Sequence, residues 1–408
     1  MTKRVLVLSL AAGTALMASG YRIPEASLDA VALSAGCVAN ANGADAAYYN
    51  PANMVYNDDA NSFEGTAIYA HLTPIRFQGS FQTLGPFDSK SEAEDAFIPA
   101  LHYTSPKMVN GMRWGLSIVS PGGLTKRWQS APGIFTSEEF TLQTLELNPT
   151  LAIPVTDRFS VAVGVRALYA EGVVKSTAPT GVRDMDGDGL DFGYNLALSF
   201  KATDAMTMSA TYRSKIDMKL EGDATINLPT VPLTYAGSAE VGVVLPASLN
   251  LAVAHTVGTT TVEFDYERTF WSSYETLDFN YPDATGLAAA VLEASPFGAP
   301  SIKNWKDSNT YRLAMTHVYN ENWTVMGAVA YDETPVPDAS LGFELPDSDA
   351  WVVSFGGRYN IDKQLSIGAS ALASIKDERT VDQGGTGIQG KFSEAAAYLI
   401  AVGMEYKF

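Results

Sequence analysis

The connections of this chain alternate in length, and that alternation restricts the fold more than any single motif. From about residue 62 onward the sequence reads as successive β-runs whose linkers are long, then short, to the end. Long linkers are predicted near 84–95, 120–139, 176–189, 223–236, 282–305, 333–348 and 376–390. Short turns are predicted at 106–110, 154–157, 202–204, 256–258, 320–322 and 360–363. A soluble sandwich has no reason to sort its loops by side. A transmembrane up-and-down barrel does, because periplasmic turns are short and outer loops long. If 62–82 is one strand bent at Pro74, the runs number about fourteen, an even count that leaves both termini in the periplasm.

The two faces of the runs agree with a wall between lipid and lumen. In the last run Tyr398, Ile400, Val402, Met404, Tyr406 and Phe408 alternate with Leu399, Ala401, Gly403, Glu405 and Lys407. One face is apolar with aromatics near both ends, and the other becomes polar. Val262, Phe264 and Tyr266 oppose Glu263, Asp265 and Glu267, and Trp351, Val353 and Phe355 oppose Ser354, Gly356 and Arg358. Charge falls on the non-lipid face, where it must lie if hydrocarbon covers the other. No repeat of 40–50 residues supports a propeller.

Residues 1–20 read as a cleaved signal peptide. Lys3 and Arg4 precede an uncharged apolar stretch, and Ala18-Ser19-Gly20 places small residues before Tyr21. No run is long enough for a spanning helix. The net charge of −18 argues against a nucleic-acid partner. The lone cysteine, Cys37, permits no internal disulfide, and Glu25 and Asp29 upstream argue against a lipidation signal.

Residues 21–61 do not alternate. They are rich in Ala, Gly, Asn and Asp and end in the turn Asn50-Pro51-Ala52. Small residues allow close backbone packing, and Asn and Asp bond their own backbone. Two readings follow: a plug folded within the lumen, or a disordered periplasmic leader. The absence of charge blocks favours the plug.

From Gly20 to Phe408 the chain resembles the outer-membrane transporters of long-chain fatty acids and aromatic hydrocarbons. The landmarks are Gly20-Tyr21-Arg22-Ile23-Pro24-Glu25, Asn50-Pro51-Ala52, Tyr212-Arg213-Ser214-Lys215-Ile216, Trp305-Lys306-Asp307, Tyr331-Asp332-Glu333-Thr334-Pro335 and Pro346-Asp347-Ser348-Asp349 with Trp351. The resemblance implies a monomeric, fourteen-stranded barrel with an N-terminal hatch formed in part by Tyr21, Arg22, Asn50, Pro51 and Ala52. It further implies capture of a hydrophobic ligand by outer loops and sideways release through the wall. The chain departs from the family at Ala350, often an arginine there, and in a short loop after Val174.

Several residues are candidates for that work. Pro99 lies in an otherwise regular run and lacks the N–H an interior ladder needs, so it marks a kink and a candidate lateral opening. Leu124, Trp128 and Phe135 in one outer linker, and Leu287, Val291, Leu292 and Phe297 in another, are candidate capture residues or loop-packing residues. The stretch 287–292 reads as a short helix. Inward Arg166, Arg213, Arg312 and Arg358 are expected to pair with Glu263, Asp265, Glu267 or carboxylates of the plug, or else to hold a ligand carboxylate. Asp184, Asp186 and Asp188 space oxygens like half a calcium loop, but the closing position is Asn195 rather than Glu, so a turn is the simpler reading.

The four histidines show neither metal-ligand spacing nor a partner serine, so no enzyme and no cofactor is expected. The partners expected are a hydrophobic small molecule, outer-membrane lipid and lipopolysaccharide. A general porin for hydrophilic solutes and a surface-adhesion barrel are the competing classes.

Overall fold

The computed structural model describes residues 20–408 except Pro232; the signal-peptide expectation for 1–20 falls, but for Gly20, outside the described residues. Fourteen strands close into one antiparallel ring. They are β1 Ser62–Leu72, β2 Glu94–Thr104, β3 Arg113–Val119, β4 Glu139–Pro154, β5 Phe159–Ala178, β6 Gly181–Lys201 and β7 Met206–Arg213. The ring continues with β8 Ser248–Val257, β9 Thr260–Thr269, β10 Ser308–Val318, β11 Trp323–Asp332, β12 Ala350–Asn360, β13 Leu365–Lys376 and β14 Ala396–Lys407. Each pairs with its neighbour in sequence, and β14 returns to β1. Ile216–Leu228 and Leu233–Leu245 extend β7 and β8 outward as a paired hairpin.

Period-two alternation sets the wall. Phe192, Tyr194, Leu196, Leu198 and Phe200 of β6 are exposed on the lipid side, as are Tyr398, Ile400, Val402 and Met404 of β14. Asn195, Ala197 and Ser199 face inward and are buried. A charge on the outer face at mid-membrane would cost about 2–4 kcal/mol, which keeps the ionic groups in the bore.

The short turns lie where expected, but three outer connections differ. The stretches 176–189 and 223–236 are largely strand: β5 and β6 run for 20 and 21 residues. A tilted strand crosses the membrane in about 9–11 residues, so the hairpin projects outward with its backbone still paired. The first outer connection begins at Thr73, not Leu84, because β1 ends before Pro74. Beyond it Arg76–Phe81 and Leu84–Lys90 join Arg379–Asp382 and Ile388–Ser393 in a separate four-stranded sheet. The stretch predicted as a helix is one, Gly286–Glu293.

Residues 20–61 touch the inner face on many sides of the ring. The Oγ atoms of Ser370 and Ser354 donate to Leu28 O and Ala32 O, at 2.9 and 2.8 Å. From other parts of the wall, Ser160 Oγ donates to Ala52 O (2.8 Å) and His102 Nε2 to Ala26 O (2.6 Å). A segment bonded to β2, β5, β12 and β13 on their inward faces occupies the bore. Small residues make this fit possible. A Cβ on Gly356 would lie 2.7 Å from that of Ala32, and one on Gly115 would lie 2.7 Å from that of Ala47.

Candidate transport site

The wall is incomplete between β2 and β3. Their ladder runs from Thr104↔Gly115 to Leu101↔Ile118 and stops. Pairing resumes higher up, where Ser91 bridges Trp128 and the Glu92 N–H donates to Arg127 O at 2.8 Å. Between these points β3 bends at Ser120-Pro121-Gly122 and continues as Gly123–Arg127 along β4. Pro121 has no N–H for a ladder, and Gly122 and Gly123 give the chain freedom to turn.

The backbone groups freed by the bend bond the start of the N-terminal segment. Ile23 N–H donates to Pro121 O (3.0 Å), and Gly123 N–H donates to Tyr21 O (2.8 Å). Tyr21–Ile23 therefore stands behind the gap as a substitute strand. Pro99 lies on the opposite lip, but the expected kink is not in its strand. β2 keeps an unbroken register with β1 through Ala67↔Pro99. The bend belongs to the facing strand, and the sequence Pro121-Gly122-Gly123 was its unread signal.

Above the bend lies an apolar cavity of about 750 Å³, counting its open side. Tyr21, Leu124, Leu142, Met185, Leu220, Val241, Tyr274, Leu277, Phe279 and Trp305 line it, among others. That apolar lining suits a hydrophobic ligand. Tyr21 packs edge-on against Trp271, with ring centroids 4.7 Å apart, and its hydroxyl donates to Val244 O. One residue thus belongs to both the cavity wall and the backing of the gap. The charged groups at the cavity include Lys303 and Glu344, joined at 2.6 Å. Burial alone would raise the Glu344 carboxyl, but Lys303 beside it holds it below the ordinary carboxylate range.

Of the expected capture residues, only Leu124 lines this cavity. Trp128 is fully buried, its indole N–H donating to Phe343 O (2.9 Å), and Phe135 approaches Phe81. Val291, Leu292 and Phe297 pack on the outer hairpin with Met185, Ile226 and Tyr235. Leu287 is 82 % exposed and touches neither. These linkers pack mainly on one another because each supplies the apolar cover its neighbour lacks.

The inward charges form clamps. Arg312 Nη2 donates to Glu267 Oε2 at 2.7 Å and Arg312 lies 3.6 Å from Asp265. Arg22 of the N-terminal segment bonds Glu267 as well, and donates to Thr269 Oγ1 at 2.7 Å. Arg358 joins Asp29 (2.5 Å) to Glu64 of β1 (2.7 Å). Glu263 accepts the backbone N–H groups of Ala39 and Asn40, at 2.6 and 2.9 Å. Arg166 and Arg213 depart from expectation: both pair with Glu146 of β4, a residue the sequence reading passed over. Asn50 anchors its turn, its Oδ1 accepting from Ala52 N–H (3.1 Å) and its Nδ2 donating to Val38 O (2.9 Å), while Pro51 lies buried beside them.

Asp184, Asp186 and Asp188 are not in a turn. They alternate along β6, exposed on one face of an extended strand, so the curved oxygen cage of a calcium loop does not form. Among the described residues no cluster of His, Cys, Asp and Glu can hold a metal ion.

A closed fourteen-stranded barrel with an apolar outer face and its own N-terminal segment in the bore has the architecture of an outer-membrane protein. The family model described as outer membrane protein transport protein (OMPP1/FadL/TodX) matches residues 8–408, and the chain belongs to that family. It is 25% identical to a long-chain fatty acid transport protein of Escherichia coli, across 100% of this chain and 98% of the relative. It is 22% identical to outer membrane protein P1 of Haemophilus influenzae, across 98% and 97%. Among solved structures, a FadL homologue of Pseudomonas aeruginosa superposes with a TM-score of 0.82 at 20% identity, covering 96% of this chain and 100% of that one. The toluene transporter TodX of Pseudomonas putida superposes at 0.72 with 16% identity, covering 96% and 100%. The protein resides in the outer membrane, and the Escherichia coli relative and TodX are transporters.

Proposed function

We propose that the protein takes up long-chain fatty acids or aromatic hydrocarbons passively. Outer loops collect the molecule from the lipopolysaccharide layer into the apolar cavity. Residues 21–61 act as a hatch whose leading residues shift, and the molecule leaves sideways into the bilayer between β2 and β3. The observation that carries this reading is the shared position of Tyr21, which lines the cavity and bonds the bend that opens the wall. No energy source is needed, because an apolar solute moves from water to hydrocarbon downhill.

A general porin needs an open bore, and the segment bonded around the inner wall argues against one. The test is uptake of oleate and toluene by cells carrying the wild type, a Pro99→Ala variant, or a tethered variant. The tether joins Ser34→Cys to Ser354→Cys, whose hydroxyls lie 2.8 Å apart, in a Cys37→Ala background. The reading expects the tether to slow entry when oxidised and to restore it when reduced. Pro99→Ala should slow it modestly by giving the lip a ladder N–H. Unchanged entry in both would remove the proposed route.

A further inference from the structure

Most buried cations among the described residues are matched by an acid. Arg166, Arg312, Arg358, Lys303 and Lys376 each hold a carboxylate. Arg183 lacks an acid but lies over the rings of Phe279 and Phe297, at 4.8 and 5.2 Å. Lys126 has neither. Its side chain is 0% exposed, and its one hydrogen bond is a long contact of 3.4 Å to Ser91 Oγ. Glu94, on the facing lip of the gap, gives its carboxylate to Arg127 instead, at 2.6 Å. A buried ammonium with unfilled donors is costly, and a carboxylate is the group that relieves it.

Its place in the fold says where such a carboxylate would come from. Lys126 lies on Gly123–Arg127, the continuation of β3 above the bend. Alternation puts it on the same face as Leu124, and register sets it opposite Phe140, as Leu124 is set opposite Leu142. Those three neighbours line the apolar cavity, and Lys126 is the fourth corner of the square. Its side chain also borders a small crevice shared with Lys376, whose charge is already matched by Asp347. An apolar chamber, an unmatched cation at its corner and a breach in the wall alongside suit an amphipathic anion in transit.

We propose that Lys126 binds the carboxylate of a long-chain fatty acid, holding the head at the corner between cavity and gap while the tail occupies the cavity or enters the gap. This rests on the uptake reading above and names its substrate class. It differs from a role for Lys303, whose charge Glu344 already satisfies.

The test is equilibrium binding of oleate and of oleyl alcohol, equal in tail and different in head, to the full chain in detergent. Lys126→Met should weaken oleate about tenfold or more while leaving oleyl alcohol within about twofold, because only the charged bond is lost. Lys126→Arg should recover oleate. If the methionine variant fails to fold, Lys126→Gln, polar but uncharged, should show the same selective loss. Unchanged oleate binding, or an equal fall for both ligands, would overturn the proposal. Wild-type protein that binds neither ligand would overturn the uptake reading itself, an outcome distinct from the other two.

Discussion

Where β14 meets β1, pairing runs from Ser62↔Lys407 to Leu72↔Ala397 without interruption. Where β2 meets β3, it ends at Leu101↔Ile118 and leaves the upper wall open. The first seam joins the two ends of the barrel, so it is the place where imperfect closure would be expected to show. It is backed by Arg358, which reaches Glu64 on β1, Asp29 in the bore and, at 3.9 Å, Glu405 on β14. The second seam lies between strands joined by a short periplasmic turn, and it is backed by the backbone of Tyr21–Ile23. The gap is thus no closure defect. It sits where Pro121 and two glycines turn the strand inward and where the N-terminal segment takes over its hydrogen bonds.

The largest expected effect breaks the closed seam. Arg358→Ala leaves Glu64, fully buried, and Asp29 without their cation. Removing one partner of a buried ion pair costs about 3–5 kcal/mol. Reversible unfolding in detergent should show a loss of that size, and a loss below about 1 kcal/mol would mean the seam holds without its clamp. Lysine should recover only part, since its compact ammonium does not reproduce the planar fork by which the guanidinium spans two carboxylates.

A smaller effect should follow from closing the open seam. The double substitution Pro121→Val and Gly122→Ser restores a ladder N–H and a strand-forming backbone. Each new bond to β2 is worth about 1 kcal/mol, so two would reduce an open population more than about tenfold. Uptake of oleate and toluene should fall together while thermal stability is kept or rises. Equal uptake with a repaired ladder would show that solutes do not pass there.

The two seams were not equally legible in the sequence. Alternation in the last run and its terminal aromatic are local and periodic, so the closed wall, its lipid face and its strand number could be read directly. Pro99 drew attention because proline inside a strand is conspicuous, whereas Pro121 sat in a linker where proline is ordinary. What makes Pro121 matter is a bond to Ile23, which no local pattern encodes. The same holds for Glu146: its partners Arg166 and Arg213 were recognised as inward charges, but the acid that joins them is fixed by cross-strand geometry. Leu287 parts from its neighbours in a way the sequence does not encode. An apolar helix in a loop advertises a binding face, while the outer hairpin takes only part of that face and leaves Leu287 in water.

The smallest expected effect concerns the ion pair at the cavity and separates it from both seams. Glu344 has a folded pKa held below its unfolded value by Lys303. Its contribution is therefore fully present above the unfolded carboxylate range, near pH 4.3, and is lost as pH falls through the lower folded value. Between pH 8 and pH 5 Glu344 should stay ionised, so ligand affinity of the cavity should change little over that window for a neutral hydrocarbon. Glu344→Gln removes the matching charge and frees Lys303 to bind an anion. It should tighten oleate severalfold, on the scale of one charge-assisted hydrogen bond at a partly wetted site, and leave toluene unchanged. Tighter toluene binding would show instead that the substitution had reshaped the cavity. Oleate affinity that stays constant would show that Lys303 is turned away from ligand, leaving Lys126 as the cation that reads the head.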